Sequence, residues 1–502
     1  MDTPPAPPLH RLDTLKIDNR FARLPADYYS RVQPAPLPAP KLLHFNADAA
    51  TLIDLDPAES WRPEFAEIFA GNRPLKGAEP LAMLYSGHQF GSYVPQLGDG
   101  RAMLIAQVRN ARDESWDIQL KGAGMTPYSR FADGRAVLRS SVREYLCSAA
   151  MHGLGIPTTR GLCVVTSPDP VRRETVETAA VLTRLAQSHV RFGSFEVFYY
   201  RSEHDKLKPL ADHVIAEHYP WFVGLPNQYE AWLAEITERT ARLMAQWQVV
   251  GFCHGVMNTD NMSILGLTLD YGPFGFMDGF DTHHICNHSD ESGRYAYDRQ
   301  PGIGHWNVSR LLQATLPLLS DDPDKSVEIA TAILERYAPA YTGSVTGHWR
   351  AKLGLREARD EDTELINRFL SILYRGKSDF TRSFRHLSRL RAGDEAPATG
   401  IREEIADLEA FDAWVRDYRT RLRSEQSDDT ERARRMNTVN PKYVLRNHLA
   451  QAAIEQAQRG DSSEIERVMT LLKRPFDEHP GFEAYAAEPP ASAHHISVSC
   501  SS

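Results

Sequence analysis

The chain has 502 residues, 42% hydrophobic and 25% charged, with 57 Lys and Arg against 66 Asp and Glu for a net charge of −9. That balance gives no overall basic field for nucleic acid or an anionic membrane surface, and no apolar run approaches the roughly 18 residues that a spanning helix needs. Cys147, Cys163, Cys253, Cys286 and Cys500 are too few and too scattered for a disulfide scaffold; with a first segment that lacks the basic start and apolar core of a signal peptide, a reducing, cytoplasmic location is expected.

At roughly 150 residues per domain, two or three domains or two large lobes are expected. Residues 1–20 are polar and Pro-rich and read as loose. "YYSRVQPAPLPAPKLL" is extended, because its prolines fix φ and exclude helix. "WRPEFAEIFAGNRP" predicts a short helix ended by Gly71 and Pro74. "RAMLIAQVRN" and "SWDIQLKGAG" predict two strands joined by the polar turn "ARDE". In "DGRAVLRSSVREYLCSAAMHGLG" the spacing of Val137, Leu138, Val142, Leu146 and Met151 predicts a helix stopped by Gly153 and Gly155. "GLCVVTS" and "TAAVLTRLA" predict two more strands. After about residue 205 the pattern is mostly helical, in "YEAWLAEITERTARLMAQWQVVG", "SVEIATAILERYAPAY", "TELINRFLSILYR", "GIREEIADLEAFDAWVRDYRTRLRSE" and "SEIERVMTLLKRPF". The expectation is an α+β chain in four parts: an N-terminal extension (1–75), a small strand-rich lobe (76–195), a large helical lobe (196–480) and a flexible tail (481–502).

Five elements carry chemistry. In "QLGDGRAML", Gly98 and Gly100 flank Asp99 in a tight turn whose backbone N–H groups could approach phosphate oxygens, with Arg101 adding a cation; a plain hairpin is the alternative. Lys121 in "WDIQLKGAG" lies on the opposite strand face from Ile118 and Leu120, where a kinase-type lysine pairs nucleotide phosphates, although a strand lysine is also an ordinary solvent-facing residue. Glu144 on the following helix could pair with Lys121 and hold it. Arg184 and Arg191 offer the planar fork that suits phosphate, and Asp133 and Gly134 form another polar turn. The fifth element is "HGVMNTDNMSILG" followed by "LTLDYGPFG". Asn261 and the Asp270-Tyr271-Gly272 triplet supply an amide carbonyl and a carboxylate on adjacent turns, the hard oxygen donors that Mg²⁺ prefers. A kinase would keep its base two residues after the His; here that position is Val256.

These stretches, with "QLKGAGMTPYSRFADGRAVLRSSVREYLCSAAMHGLGIPTTR", "GFCHGVMNTDNMSILGLTLDYGPFGFMD" and "NPKYVLRNHLAQAAIEQA", resemble the blocks of the selenoprotein O family, and the resemblance runs from about residue 15 to the end of the chain. It implies a protein-kinase-like, two-lobed pseudokinase fold that binds ATP reversed relative to ordinary kinases. It also implies transfer of AMP, rather than phosphate, to Ser, Thr or Tyr hydroxyls of proteins with Mg²⁺, and UMP transfer from UTP with Mn²⁺ as a further activity. By the same resemblance Gly98, Gly100, Arg101, Lys121, Asp133, Gly134, Arg184, Arg191 and Asp270 bind nucleotide, Asp260 is the proton acceptor, and Asn261 and Asp270 hold the metal. A reversed nucleotide would explain Val256, because the α-phosphate would then sit over the metal and within reach of Asp260. Some family members carry selenocysteine at the position of Cys500. Ser497 precludes a local C-x-x-C pair, so a reversible Cys286–Cys500 disulfide is the expected redox partner choice.

Three other readings stand beside this one: a conventional phosphotransferase using Asp260 as a displaced base, a nucleotide-binding scaffold without turnover, and a zinc site built from His283, His284, Cys286 and His288. Adjacent His283 and His284 argue against the last, since neighbouring residues rarely ligate one ion.

Overall fold

The computed structural model describes residues 8–394, 400–496 and 498. Its architecture is a mixed one, with a strand-rich region followed by many helices. Among the described residues the strands are β1 (Tyr29–Arg31), β2 (Lys41–Phe45), β3 (Leu81–Met83), β4 (Gly87–Gln89), β5 (Ser92–Val94), β6 (Ala102–Arg109), β7 (Ser115–Lys121), β8 (Ala136–Val137), β9 (Arg160–Arg172), β10 (Val176–Ala186), β11 (Phe252–Cys253) and β12 (Gly275–Phe276). Eight of them form one antiparallel sheet in the order β1-β3-β6-β7-β10-β9-β2, with β8 pairing β10. The strands β4 and β5 form a separate hairpin, as do β11 and β12.

The sheet separates two cores. Alternation along β7 sends Ile118 and Leu120 into an apolar layer with Phe65 and Phe69 of the Pro63–Phe69 helix. Residues on the opposite face, Leu104 and Leu182, pack with the Leu138–Gly153 helix, whose Val142, Tyr145, Leu146 and Ala149 are buried. That helix is pressed closely by the Ser463–Lys473 helix: a Cβ on Gly153 would lie 1.9 Å from the Leu472 carbonyl oxygen, so only glycine fits. The register places Gln119 opposite Arg184 and Lys121 opposite Leu182, so Gln119, Lys121 and Arg184 share this second face.

Several expectations are corrected. Residues 8–20 are packed rather than loose: Leu12 and Leu15 are buried, and Ile17 bridges to Val108. The stretch "SVEIATAILERYAPAY" is split between two helices, Pro323–Glu335 and Tyr337–Lys352. Pro339 has no N–H to return to the carbonyl four residues back, which lies at that junction. "GIREEIADLEAFDAWVRDYRTRLRSE" is a 3₁₀ turn, Ile401–Glu404, and then a helix, Leu408–Ser424. The break falls where the Asp407 carboxylate caps the helix by accepting from the Ala410 N–H at 3.0 Å. No helix of the described residues is long and apolar enough to cross a membrane.

Candidate active site

A cleft of about 480 Å³ opens beside the second face of the sheet. Gly98, Gly100 and Arg101 line one wall, Lys121 and Arg184 the floor, and Asp260, Asn261 and Asp270 the other wall. Eight residues read from five separate stretches of sequence therefore meet in one place. Val256 also lines it.

The floor is a buried ionic lattice. Lys121 Nζ lies 2.5 Å from Glu144 Oε2, and the other oxygen of Glu144 accepts from Arg184 at 2.9 Å. Arg184 also donates to the Gln119 amide oxygen, through Nε at 3.0 Å, and to the Asp270 carboxylate. Arg191 lies behind the cleft, 1% exposed, its guanidinium stacked over the Tyr85 ring at 4.5 Å. Burial would raise the Asp270 carboxyl, but Arg184, Arg191 and Lys121 outweigh it and hold the group well below the usual carboxylate range. Burial likewise pushes the Lys121 ammonium down, with Glu144 opposing. Arg101, half-buried, has no side-chain hydrogen bond or ion pair among the described residues.

The opposite wall is the segment from His254 to Asp270. His254 is buried and donates through Nε2 to the Leu269 carbonyl at 2.9 Å, tying the two ends of this segment together. A 3₁₀ turn, Thr259–Asn261, presents Asp260, whose carboxyl burial raises to about 7 against the pull of Arg191. The Asn261 amide nitrogen donates to the Val256 carbonyl at 3.0 Å, which leaves its oxygen as the free ligand atom. Asp270 has φ 58, a left-handed conformation that Asp tolerates better than most side chains. An amide oxygen and an ionised carboxylate suit a hard divalent cation such as Mg²⁺ or Mn²⁺.

Other expected residues lie elsewhere. Asp133 is held by Arg173 at 2.8 Å, just past the lining residue Ala132, and Gly134 packs its backbone against Gly124; neither lines the cleft. Cys286 is buried one layer behind, its thiol donating to the carbonyl of Pro273, which does line the cleft. Cys500 lies outside the described residues. The zinc grouping is not assembled: His283 pairs with Asp298 at 2.8 Å, and among the described residues no three His, Cys, Asp or Glu side chains converge as a metal site.

Sequence reasoning passed over Gln119, Tyr85 and Gln89, and read Asp99 only as the middle of the Gly98–Gly100 turn. Gln119 was within reach, being two residues before Lys121 on the same strand face. Asp99, buried and pushed up by that burial, accepts the Met83 N–H at 3.0 Å and so braces the Gly98–Gly100 turn. Gln89 sits on the β4–β5 hairpin, whose contacts with the Asp260 loop span about 170 residues of sequence and leave no local pattern.

Comparison with known proteins places this cleft in a class. The chain is 60% identical to the protein nucleotidyltransferase YdiU of Methylococcus capsulatus, over 96% of its own length and 95% of the relative's. It is 54% identical to that of Myxococcus xanthus, over 98% and 99%, and 54% identical to that of Thioalkalivibrio sulfidiphilus, over 98% and 100%. Fold, cleft and relatives together define an enzyme of the nucleotidyltransferase class. The family described as "Protein adenylyltransferase SelO" matches residues 11–473, and the chain belongs to it.

Proposed function

We propose that the chain is a two-lobed, kinase-like protein adenylyltransferase that moves AMP from ATP to Ser, Thr or Tyr hydroxyls of other proteins. Its strand-rich lobe (76–195) and helical lobe (196–480) enclose the nucleotide, the segment before residue 76 is an extension, and residues 481–502 form a tail. UTP with Mn²⁺ is the alternative donor, and the cytoplasm is the proposed location. One observation carries the reading: Asp260, a carboxyl poised near 7, stands in the cleft facing a floor of buried cations, while the usual kinase base position is Val256.

The chemistry follows from the charges. Negative charge grows on the phosphate oxygens during transfer, and cations fixed beforehand stabilise it without reorganisation. Lys121, Arg184, Arg191 and Arg101 supply those cations, and the N–H groups of the Gly98–Gly100 turn add donors. Asp133 and Gly134, which follow the lining residue Ala132 without lining the cleft themselves, complete the proposed nucleotide-binding set. Glu144 keeps Lys121 extended into the cleft. Asn261 and Asp270 would hold Mg²⁺ or Mn²⁺, which when bound supplies further positive charge at the phosphates. Asp260 takes the proton of the acceptor hydroxyl as its oxygen bonds to the α-phosphorus, and pyrophosphate leaves with the electrons of the broken P–O bond. A base with a pKa near the working pH is matched to that task. The Cys286–Cys500 disulfide is proposed as a redox control of this site. It is supported by the Val498 carbonyl, which accepts from the His288 N–H at 3.0 Å and so brings the tail within two residues of Cys286.

The test is the position of the label. Incubation with Mg²⁺ and α-labelled ATP should label protein, and γ-labelled ATP should not; the reverse pattern would establish a kinase, and no label from either a binding scaffold. Intact-mass measurement of the chain should show added AMP units.

A further inference from the structure

The Asp260 loop is fastened from one side by the β4–β5 hairpin, whose turn is Phe90 (φ 49) and Gly91 (φ 88). Two backbone N–H groups of that hairpin reach the loop. His88 N–H donates to Thr259 Oγ1 at 2.7 Å, and Phe90 N–H donates to Asn258 Oδ1 at 3.2 Å and to the Tyr295 hydroxyl at 3.0 Å. Glu196, fully buried, closes the joint: one oxygen meets the His88 ring at 2.8 Å and the other accepts the Thr259 hydroxyl at 2.5 Å.

Two contacts reach the Asp260 carboxylate itself. Gln89 Nε2 donates to Oδ2 at 3.3 Å, and among the described residues no other side chain hydrogen-bonds that carboxylate. Gly87 lies against Oδ1, where an added Cβ would come within 2.6 Å. Oδ1 is buried and has no partner among the described residues. Arg191, by contrast, holds only the main-chain carbonyl of Asp260, at 2.8 Å. Backbone and carboxylate of this residue are therefore fixed by different elements. Gln89 and Phe90 also line the cleft, and Phe90 is 43% exposed at its mouth.

We propose that the β4–β5 hairpin is the acceptor-positioning element of the enzyme, with Gln89 orienting the cleft-facing oxygen of Asp260 toward the incoming hydroxyl and Gly87 leaving room for that orientation. The proposal rests on the nucleotidyl-transfer reading above. A carboxylate oxygen has two lone pairs, so Oδ2 takes the Gln89 N–H on one and the acceptor proton on the other. The acceptor oxygen then bonds to the α-phosphorus, and pyrophosphate leaves with the electron pair of the cleaved bond. Water, small and unguided, needs less of this alignment than a hydroxyl carried on a polypeptide. Gln89 is thus a positioning residue whose loss is felt in transfer more than in hydrolysis.

The experiment uses the full chain with α-labelled ATP and Mg²⁺. It measures self-modification, hydrolysis of ATP to AMP and pyrophosphate, and calorimetric affinity for a non-hydrolysable ATP analogue. Gln89→Ala, at a half-buried position, should keep nucleotide affinity within about twofold and lower self-modification about 10–100-fold, the scale of a modest misplacement of reacting groups, while hydrolysis falls less. Gly87→Ala should produce the same pattern from the other side. Self-modification unchanged in Gln89→Ala, or transfer and hydrolysis falling in parallel with nucleotide affinity, overturns the proposal. Absence of α-label in the unaltered chain would instead overturn the nucleotidyl-transfer reading on which it rests.

Discussion

Arg191 Nη1 donates to Asp270 Oδ2 at 2.5 Å from a position entirely behind the cleft. The same nitrogen reaches the Asp260 carbonyl, so one buried guanidinium ties the Asp270 carboxylate to the turn that carries Asp260. The two N–H bonds of that nitrogen are fixed in the guanidinium plane, whereas an ammonium on a flexible stem has no such fixed plane to aim them. Arg191→Lys is therefore expected to fold but to lose transfer by about 100-fold or more, on the scale of removing one preorganised donor. Steady-state transfer rates check it; a loss under threefold would mean that the bridge is not needed.

Asp260→Asn keeps the shape of the side chain and removes its proton-accepting charge. A general base contributes about 10²–10⁴ in rate and little to ground-state affinity. The variant should lose transfer on that scale while binding a non-hydrolysable nucleotide with near-normal affinity, as read by calorimetry. Equal loss of binding and rate would remove Asp260 from the role of base.

Restoring a kinase-like acid through Val256→Asp should not create phosphotransfer, because in the reversed orientation that the family resemblance implies the phosphate nearest the loop is not the terminal one. Robust incorporation from γ-labelled ATP by this variant would count against the reversed nucleotide.

Away from the cleft, Lys352 is 3% exposed and its ammonium faces the Phe384 ring at 4.3 Å and the Phe380 ring at 5.5 Å, with no hydrogen bond or ion pair among the described residues. Burial pushes it down from 10.5 to about 7. Between those values the unfolded chain binds a proton that the folded chain does not, so its contribution to stability rises with pH across that window and is least favourable below about 7. Lys352→Met keeps the apolar stem and removes the charge. It should stabilise the protein most at and below about pH 7, by at most about 4–5 kcal/mol at 1.4 kcal/mol per pKa unit, with the gain shrinking toward pH 10. Denaturant melts of both proteins at pH 7, 8.5 and 10 give the difference directly; a gain independent of pH would place its origin in packing.

Much of the cleft was legible in the chain because local rules govern it. Strand alternation put Lys121 on the face opposite Ile118 and Leu120, helical spacing put Glu144 within reach of it, and the two now form an ion pair at 2.5 Å. The Asn261 and Asp270 spacing needed only adjacent turns. The hidden parts are those whose partners are distant. Arg191 reads as one more arginine until the fold buries it, and the pairing of Asp133 with Arg173, forty positions away, leaves no local pattern. Glu196 sits within an apolar stretch, and only the His88 and Thr259 contacts explain a buried acid there. The 3₁₀ turn before the Leu408–Ser424 helix was obscured by continuous helical composition, and a single capping carboxylate decides it.

Both outer strands of the large sheet, β1 and β2, come from the first 45 residues of the chain. The partner of β2 is β9, which begins at Arg160, more than 100 residues later. At a synthesis rate of about 5–20 residues per second, β2 would wait on the order of 10 s after leaving the ribosome before its partner is made. Refolding from denaturant and folding during translation are thus different problems for this protein. In the test tube every strand is available at once, whereas on the ribosome the β1 edge can pair with β3 early and the β2 edge can close only once β9 has been made.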